Sequence, residues 1–232
     1  MEIAPLGDSA LVVRVGNDRS DTSRLVLAAQ HHLKQAEIPG VVEIAPGFAS
    51  VALFYDPIQL ARLIGQPERV FDWLADRVDR ALVSLGRDAG SPAETREVEI
   101  PVCFEAEFAL DLDELARHAG FEKEEVVDLY CRSKYRVNCL GFTPGFPFLA
   151  GLPEKLATPR REIPRREIPA GSVAIGGIQT GIYPVKSPGG WNIIGRTPLS
   201  LFDPAKDPPA LLRAGDHVRF RSISRAQFDR LT

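Results

Sequence analysis

The chain has 232 residues, of which 44% are hydrophobic and 25% charged, and its net charge is −3. That length supports one substantial core or two modest ones. The mild negative charge supplies no global field toward nucleic acid or an anionic membrane. Three cysteines without C-x-x-C spacing argue against a disulfide framework and a zinc knuckle, and the thinly spread histidines predict no metal site. No basic segment followed by an apolar stretch opens the sequence. No apolar run approaches the roughly 20 residues of a membrane-spanning helix. A reducing cytoplasm is the expected location.

In chain order, residues 2–15 read as two strands around a Gly7-Asp8 turn. Asp21-Thr22 is placed to cap a helix through residue 36, with Leu25, Ala28, Ala29, His32 and Leu33 on its apolar face. Residues 41–45 and 49–55 make a hairpin around Pro46-Gly47, which Asp56-Pro57 ends. A helix over residues 67–85 follows. Two helices against a small antiparallel sheet give an α+β domain over residues 1–85. Residues 86–95 (GRDAGSPAET) read as a linker, and residues 96–232 as a second domain. That domain opens with a strand at 96–104, a short helix at 111–119 ending at Gly120, and a helix at 122–137. Short strands at 172–176, 179–184, 192–196, 199–202 and 217–223 then favour a barrel or a sandwich.

The chemistry concentrates in residues 141–203, which hold 19 of the 38 glycine and proline residues. So many fixed corners suit a shaped rim better than a random loop. Within it Arg160, Gln179, Thr180, Tyr183, Asn192 and Arg196 are able to read a polar or anionic ligand. Gly189 and Gly190 permit close approach to the main chain, with Trp191 either a flat wall beside them or a plug for the barrel end. Arg196 offers a bidentate fork for carboxylate or phosphate, or else an internal ion pair. If residues 179–183 form a strand, Gln179, Gly181 and Tyr183 share one face and Thr180 and Ile182 the other. Phe142, Phe146 and Phe148 form either core or a partner-binding rim. The cations between Lys155 and Arg166 make either a solvated loop or an anion clamp. No phosphate-binding loop and no serine nucleophile elbow occur. Cys139 reads as a small buried hydrophobe and His217 as a packed or surface residue.

The stretches GFTPGFPFLAGL, PRREIPR, IPAGSVAIGGIQTGIYP and SPGGWNIIGRTPLSLFD, with GDSALVV and APGFASVALFYDP upstream, resemble the family of allophanate hydrolase subunit 1. That family includes the B subunit of the bacterial ATP-dependent 5-oxoprolinase and the kinase inhibitor KipI. Asn192 departs from the family's glutamine and shortens a polar arm. The resemblance implies an α+β N-terminal domain followed by a cyclophilin-like β-barrel of the carboxyltransferase subdomain C/D type. It implies a partner from the family of allophanate hydrolase subunit 2, to which the C subunit of 5-oxoprolinase belongs, and a third 5-oxoprolinase subunit. It implies ATP used through the complex, with a lactam or amide as substrate. Arg196 and Tyr183 are then the candidate catalytic residues. Gln179, Thr180, Gly189, Gly190, Trp191, Asn192 and Arg160 are candidate ligand contacts. The alternatives within the family are a KipI-like inhibitor of a histidine kinase and a carboxyltransferase-type subunit acting on urea or a related amide.

Overall fold

The computed structural model describes residues 1–15, 22–83, 85 and 96–232. The linker expected at 86–95 and the cap expected at Asp21 lie outside them. The chain divides into two compact units, Met1–Glu94 and Thr95–Thr232.

The first unit contains β1 (Glu2–Pro5), β2 (Ala10–Arg14), α1 (Thr22–Gln35), β3 (Val41–Pro46), β4 (Ser50–Tyr55), α2 (Pro57–Ile64) and α3 (Val70–Leu82). Its antiparallel sheet runs β1-β2-β4-β3. Period-two alternation sends Leu11 and Val13 of β2, and Val51, Leu53 and Tyr55 of β4, into a core completed by α1, α2 and α3. On α1 the buried stripe is Val26, Ala29 and Leu33, while Leu25 is only half-buried. The apolar stripe is thus rotated about one residue from the expected one, with Val26 rather than Leu25 facing the core. Asp56-Pro57 also does more than end the hairpin. Asp56 accepts hydrogen bonds from the backbone N–H groups of Ile58 and Gln59, both at 2.9 Å, and caps α2 with Pro57 in its first turn.

The second unit contains β5 (Glu97–Val102), α4 (Leu112–Ala119), α5 (Lys123–Arg132), β6 (Tyr135–Leu140), β7 (Pro147–Ala150), β8 (Arg165–Ile168), β9 (Ser172–Gly176), β10 (Gln179–Ile182), β11 (Ser187–Gly189), β12 (Asn192–Arg196), β13 (His217–Ser222) and α6 (Arg225–Leu231). The helix expected through residue 137 stops at Arg132. Ser133 turns its hydroxyl back to the Leu129 carbonyl at 2.7 Å. Tyr135 and Val137 then point into the core from a strand paired with β7 and β13. Residues 199–202 form no strand; only Phe202 bridges to Ala210. The β6–β7 pair, the small β8–β11 sheet and α6 are elements that the sequence pattern does not place.

Seven strands form one sheet in the order β12-β9-β10-β7-β6-β13-β5. The outermost pair, β5 and β13, is parallel and joins residues 120 positions apart, such as Glu99 and Arg219. The sheet nearly closes on itself. Cys103, just beyond β5, donates its N–H to the Arg196 carbonyl at 2.8 Å and accepts the Arg196 N–H at 3.0 Å. One face of this barrel-like sheet buries Ile100, Val137, Leu149, Val173, Ile175, Ile182, Ile194 and Phe220 against α4 and α5. Tyr130 of α5 lies in this core with its hydroxyl 2.7 Å from Thr180 Oγ1, and burial pushes its pKa well up. Tyr130→Phe removes that buried hydroxyl pair but not the Thr180 bond to Ala174. It should lower unfolding stability by about 1 kcal/mol in a chemical denaturation experiment.

Candidate functional site

The segment from Thr158 to Ile168 is fastened to the outer face of the sheet. Thr158 and Gly177 exchange backbone hydrogen bonds. Asn192 donates its side-chain amide to the Pro159 carbonyl at 2.8 Å and to that of Ile175 at 3.3 Å. The Arg161 N–H donates to the Gly190 carbonyl at 2.8 Å. The strongest tie is Asp111, 2% exposed, at the start of α4. Its carboxylate accepts from Arg161 Nη1 at 2.7 Å, Arg165 Nη1 at 2.7 Å, Arg165 Nη2 at 2.8 Å and the Ile193 N–H at 2.7 Å. All the strong acceptor directions of the carboxylate are filled, as a buried charge requires.

This tie sets the shape of an aromatic cluster outside the barrel core. Phe146, Ile168, Ala174, Tyr183, Trp191 and Ile193 bury together with Phe148 against them. The rings meet edge to face: Phe146–Tyr183 at 5.2 Å, Phe146–Trp191 at 5.6 Å and Phe148–Trp191 at 5.9 Å. Glycines make room for the rings. A Cβ on Gly176 would lie 2.6 Å from the Trp191 indole, and one on Gly189 would lie 2.3 Å from Tyr183 Oη. Burial raises the Tyr183 pKa, while a hydrogen bond from the Trp191 backbone and the charge of Arg160 pull it back. At the rim Phe142 is 64% exposed and sits at φ 65°, a left-handed conformation that a bulky residue adopts at a cost of about 1 kcal/mol. Its ring still meets Phe146 at 5.6 Å and Tyr183 at 6.4 Å.

The structure therefore brings together Phe142, Phe146, Phe148, Tyr183, Gly189 and Trp191, and adds Arg160, whose guanidinium carbon lies 5.6 Å from the Trp191 ring centroid. Gln179 joins them. It stands directly opposite Gly176 in the β9–β10 register, on the face that Trp191 covers. Two expected ligand contacts, Thr180 and Asn192, and the candidate catalytic residue Arg196 lie elsewhere. Thr180 faces the barrel core, bonded to Tyr130 and to the Ala174 carbonyl at 2.8 Å. Asn192 holds the 158–160 segment rather than presenting a free arm. Arg196 sits at the seam of the barrel, with Nε donating to the Ala170 carbonyl at 2.8 Å and its guanidinium 5.9 Å from the Phe108 ring. Among the described residues no hydrogen bond, ion pair or ring contact joins Arg196 to Tyr183 or Trp191. Gly190 contributes its carbonyl to Arg161. Trp191 is a packed wall, neither an open surface nor a plug of the barrel end.

Sequence reasoning misses Asp111. Nothing local marks it, since its cationic partners lie 50 and 54 residues away. It also treats the cations as one group, whereas the structure divides them. Arg161 and Arg165 are engaged by Asp111, and Lys155 lies over Phe121. Arg160 keeps an exposed guanidinium without an ion pair among the described residues. Cys139 is buried, and its thiol pKa is pushed up to about 11 by desolvation, which suits a packing residue rather than a nucleophile. Among the described residues no cluster of three metal-ligating side chains occurs, and no helix is long and apolar enough to cross a membrane.

The family model for "Carboxyltransferase domain, subdomain C and D" matches residues 1–212, and the chain belongs to that family. A Bacillus subtilis (strain 168) protein, named as the B subunit of 5-oxoprolinase, is 42% identical over 229 residues, covering 98% of this chain and 95% of that one. The solved structure of TTHA0988 matches with a TM-score of 0.72 and 38% identity over 93% of this chain. This chain spans only 40% of that longer one. The Kluyveromyces lactis urea carboxylase shares the fold, with a TM-score of 0.76 at 20% identity, covering 98% of this chain and 22% of the enzyme.

Two substitutions test this construction. Asp111→Ala leaves two half-buried guanidinium groups and the Ile193 N–H without their acceptor. It should cost about 3–5 kcal/mol, read as a large fall in melting temperature. Gly189→Ala drives a methyl group into Tyr183 and should cost about 1–3 kcal/mol. It should also shift the near-ultraviolet circular dichroism of the aromatic cluster.

Proposed function

We propose that this chain is a non-autonomous subunit of a cytoplasmic, ATP-dependent 5-oxoprolinase, which opens the lactam of 5-oxo-L-proline to L-glutamate. The observation that carries this reading is the near end-to-end identity with a protein named as the B subunit of 5-oxoprolinase, at 42% over 98% of the chain. The geometry is consistent with a shared site. Tyr183 and Trp191 are buried, and the groups facing outward from them are Arg160, Gln179 and Phe142. They form one wall, which a second polypeptide would complete.

The partners in this reading are a protein of the allophanate hydrolase subunit 2 family, acting as the C subunit of the complex, and a third 5-oxoprolinase subunit. A five-membered lactam is a stabilised amide, and ATP supplies the driving force for its hydrolysis. The sequence has no phosphate-binding loop, so nucleotide binding is assigned to the partners. What this chain would contribute is binding and orientation of the lactam, together with exclusion of water by the aromatic face. The cyclophilin-like description of the barrel belongs to the same reading, supported by the seven-stranded sheet that nearly closes. Co-expression with both partner subunits, followed by an ATP-dependent assay for glutamate, tests the assignment. The assembled complex should release glutamate and the isolated chain none. A correctly assembled complex that releases none, or robust turnover by the chain alone, would refute it.

A further inference from the structure

The polar groups around Trp191 differ in how far they are engaged. Asn192 is bonded to two carbonyls, and Arg161 and Arg165 are fixed on Asp111. Tyr183 is 2% exposed beneath Phe142. Arg160 and Gln179 differ from these. Neither side chain has a hydrogen-bond or ion-pair partner among the described residues, Arg160 is exposed and Gln179 is half-buried. Both are nonetheless held. Arg160 follows Pro159, whose carbonyl Asn192 grips, and its guanidinium lies over the Trp191 ring. Gln179 is the first residue of β10, in register with Gly176 under the same indole. Two side chains with free hydrogen-bonding heads, anchored at the backbone beside one aromatic wall, are a preorganised receptor rather than a solvated surface.

The chemistry of the two heads specifies a ligand. A guanidinium presents parallel donors that match a carboxylate. A primary carboxamide presents one donor and one acceptor side by side. Its complement is an amide whose N–H and C=O lie on the same side. Open-chain amides are trans and do not offer that edge, whereas a small lactam ring is held cis and does. We infer that Arg160 and Gln179, on the face that Trp191 covers, read the carboxylate and the cis amide edge of a small carboxylated lactam. The inference rests on the 5-oxoprolinase reading for the identity of that lactam, and it names the residues that select it. Ring opening removes the cis amide edge, so the product glutamate keeps the Arg160 contact and loses the Gln179 pair. The same site therefore discriminates substrate from product.

Calorimetric titration of the assembled complex with 5-oxo-L-proline tests this, alongside saturation-transfer NMR with 2-pyrrolidinone, the same lactam without the carboxylate. Arg160→Gln should weaken 5-oxo-L-proline binding by about ten- to a hundredfold, the scale of a lost charge-assisted pair, and leave 2-pyrrolidinone unaffected. Gln179→Ala should weaken both ligands. Arg166→Gln, which removes an equal charge from a neighbouring exposed position, should change neither. Unaltered 5-oxo-L-proline binding in Arg160→Gln, or equal weakening of both ligands, would overturn the inference even in a complex that turns over normally. Arg160-dependent binding in a complex that releases no glutamate would uphold the receptor and refute the assigned reaction. A wild-type complex that binds neither lactam would refute both.

Discussion

The outer, aromatic layer of the second unit depends on the buried carboxylate of Asp111. Asp111 joins three parts of the chain that are distant in sequence: the start of α4, the bulged strand β12 through Ile193, and the cationic segment through Arg161 and Arg165. Two guanidinium groups on one carboxylate would be a poor exchange in isolation, because desolvating charges costs several kcal/mol per ion. The arrangement holds because each carboxylate oxygen is met at 2.7–2.8 Å and the cations remain partly solvated. What the network contributes is position. With Arg161 and Arg165 fixed, the intervening Pro164 and the adjacent Arg160 have little freedom, and Trp191 acquires its cationic neighbour.

The sheet then separates two environments by strand parity alone. Thr180 and Ile182 of β10 face the apolar core shared with α4 and α5, while Gln179 and Gly181 face the aromatic layer. A shift of one residue in register would exchange these sets and place an amide in the core. The hydroxyl pair of Tyr130 and Thr180 marks the correct register from inside, and the Gly176–Trp191 contact marks it from outside. The seam at Cys103 and Arg196 completes the wall, and there Arg196 Nε donates to the Ala170 carbonyl.

Much of this is legible in the sequence, for identifiable reasons. The alternation in 179–183 gives the correct faces because a sheet with two buried layers enforces period two. The density of corners in 141–203 marks the segment that carries the aromatic cluster. The cap of α2 is written in Asp56-Pro57, and that of α6 in the Ser224 to Gln227 capping box, but both segments are short enough to pass for loops. The strand at 135–140 is hidden by the helical pattern before it, since Tyr135 and Val137 suit either period until β7 supplies the pairing. Asp111 is not legible at all. Its role exists only across 50 residues of separation, and a single aspartate before a helix reads as a cap. The placement of Arg196 is not legible for the converse reason, because its Nε meets the Ala170 carbonyl only once the barrel seam has formed.

The parallel pairing of β5 with β13 has a consequence for how the protein comes into being. The strand that opens the second unit waits for a neighbour made about 120 residues later in synthesis, from Glu99 to Arg219. Until the ribosome has delivered that stretch, β5 and β6 each lack the strand that lies between them, and their unpaired backbone groups remain available to any other chain. Quality control in the cell would meet this unit as an unfinished ring from the synthesis of β5 until that of β13.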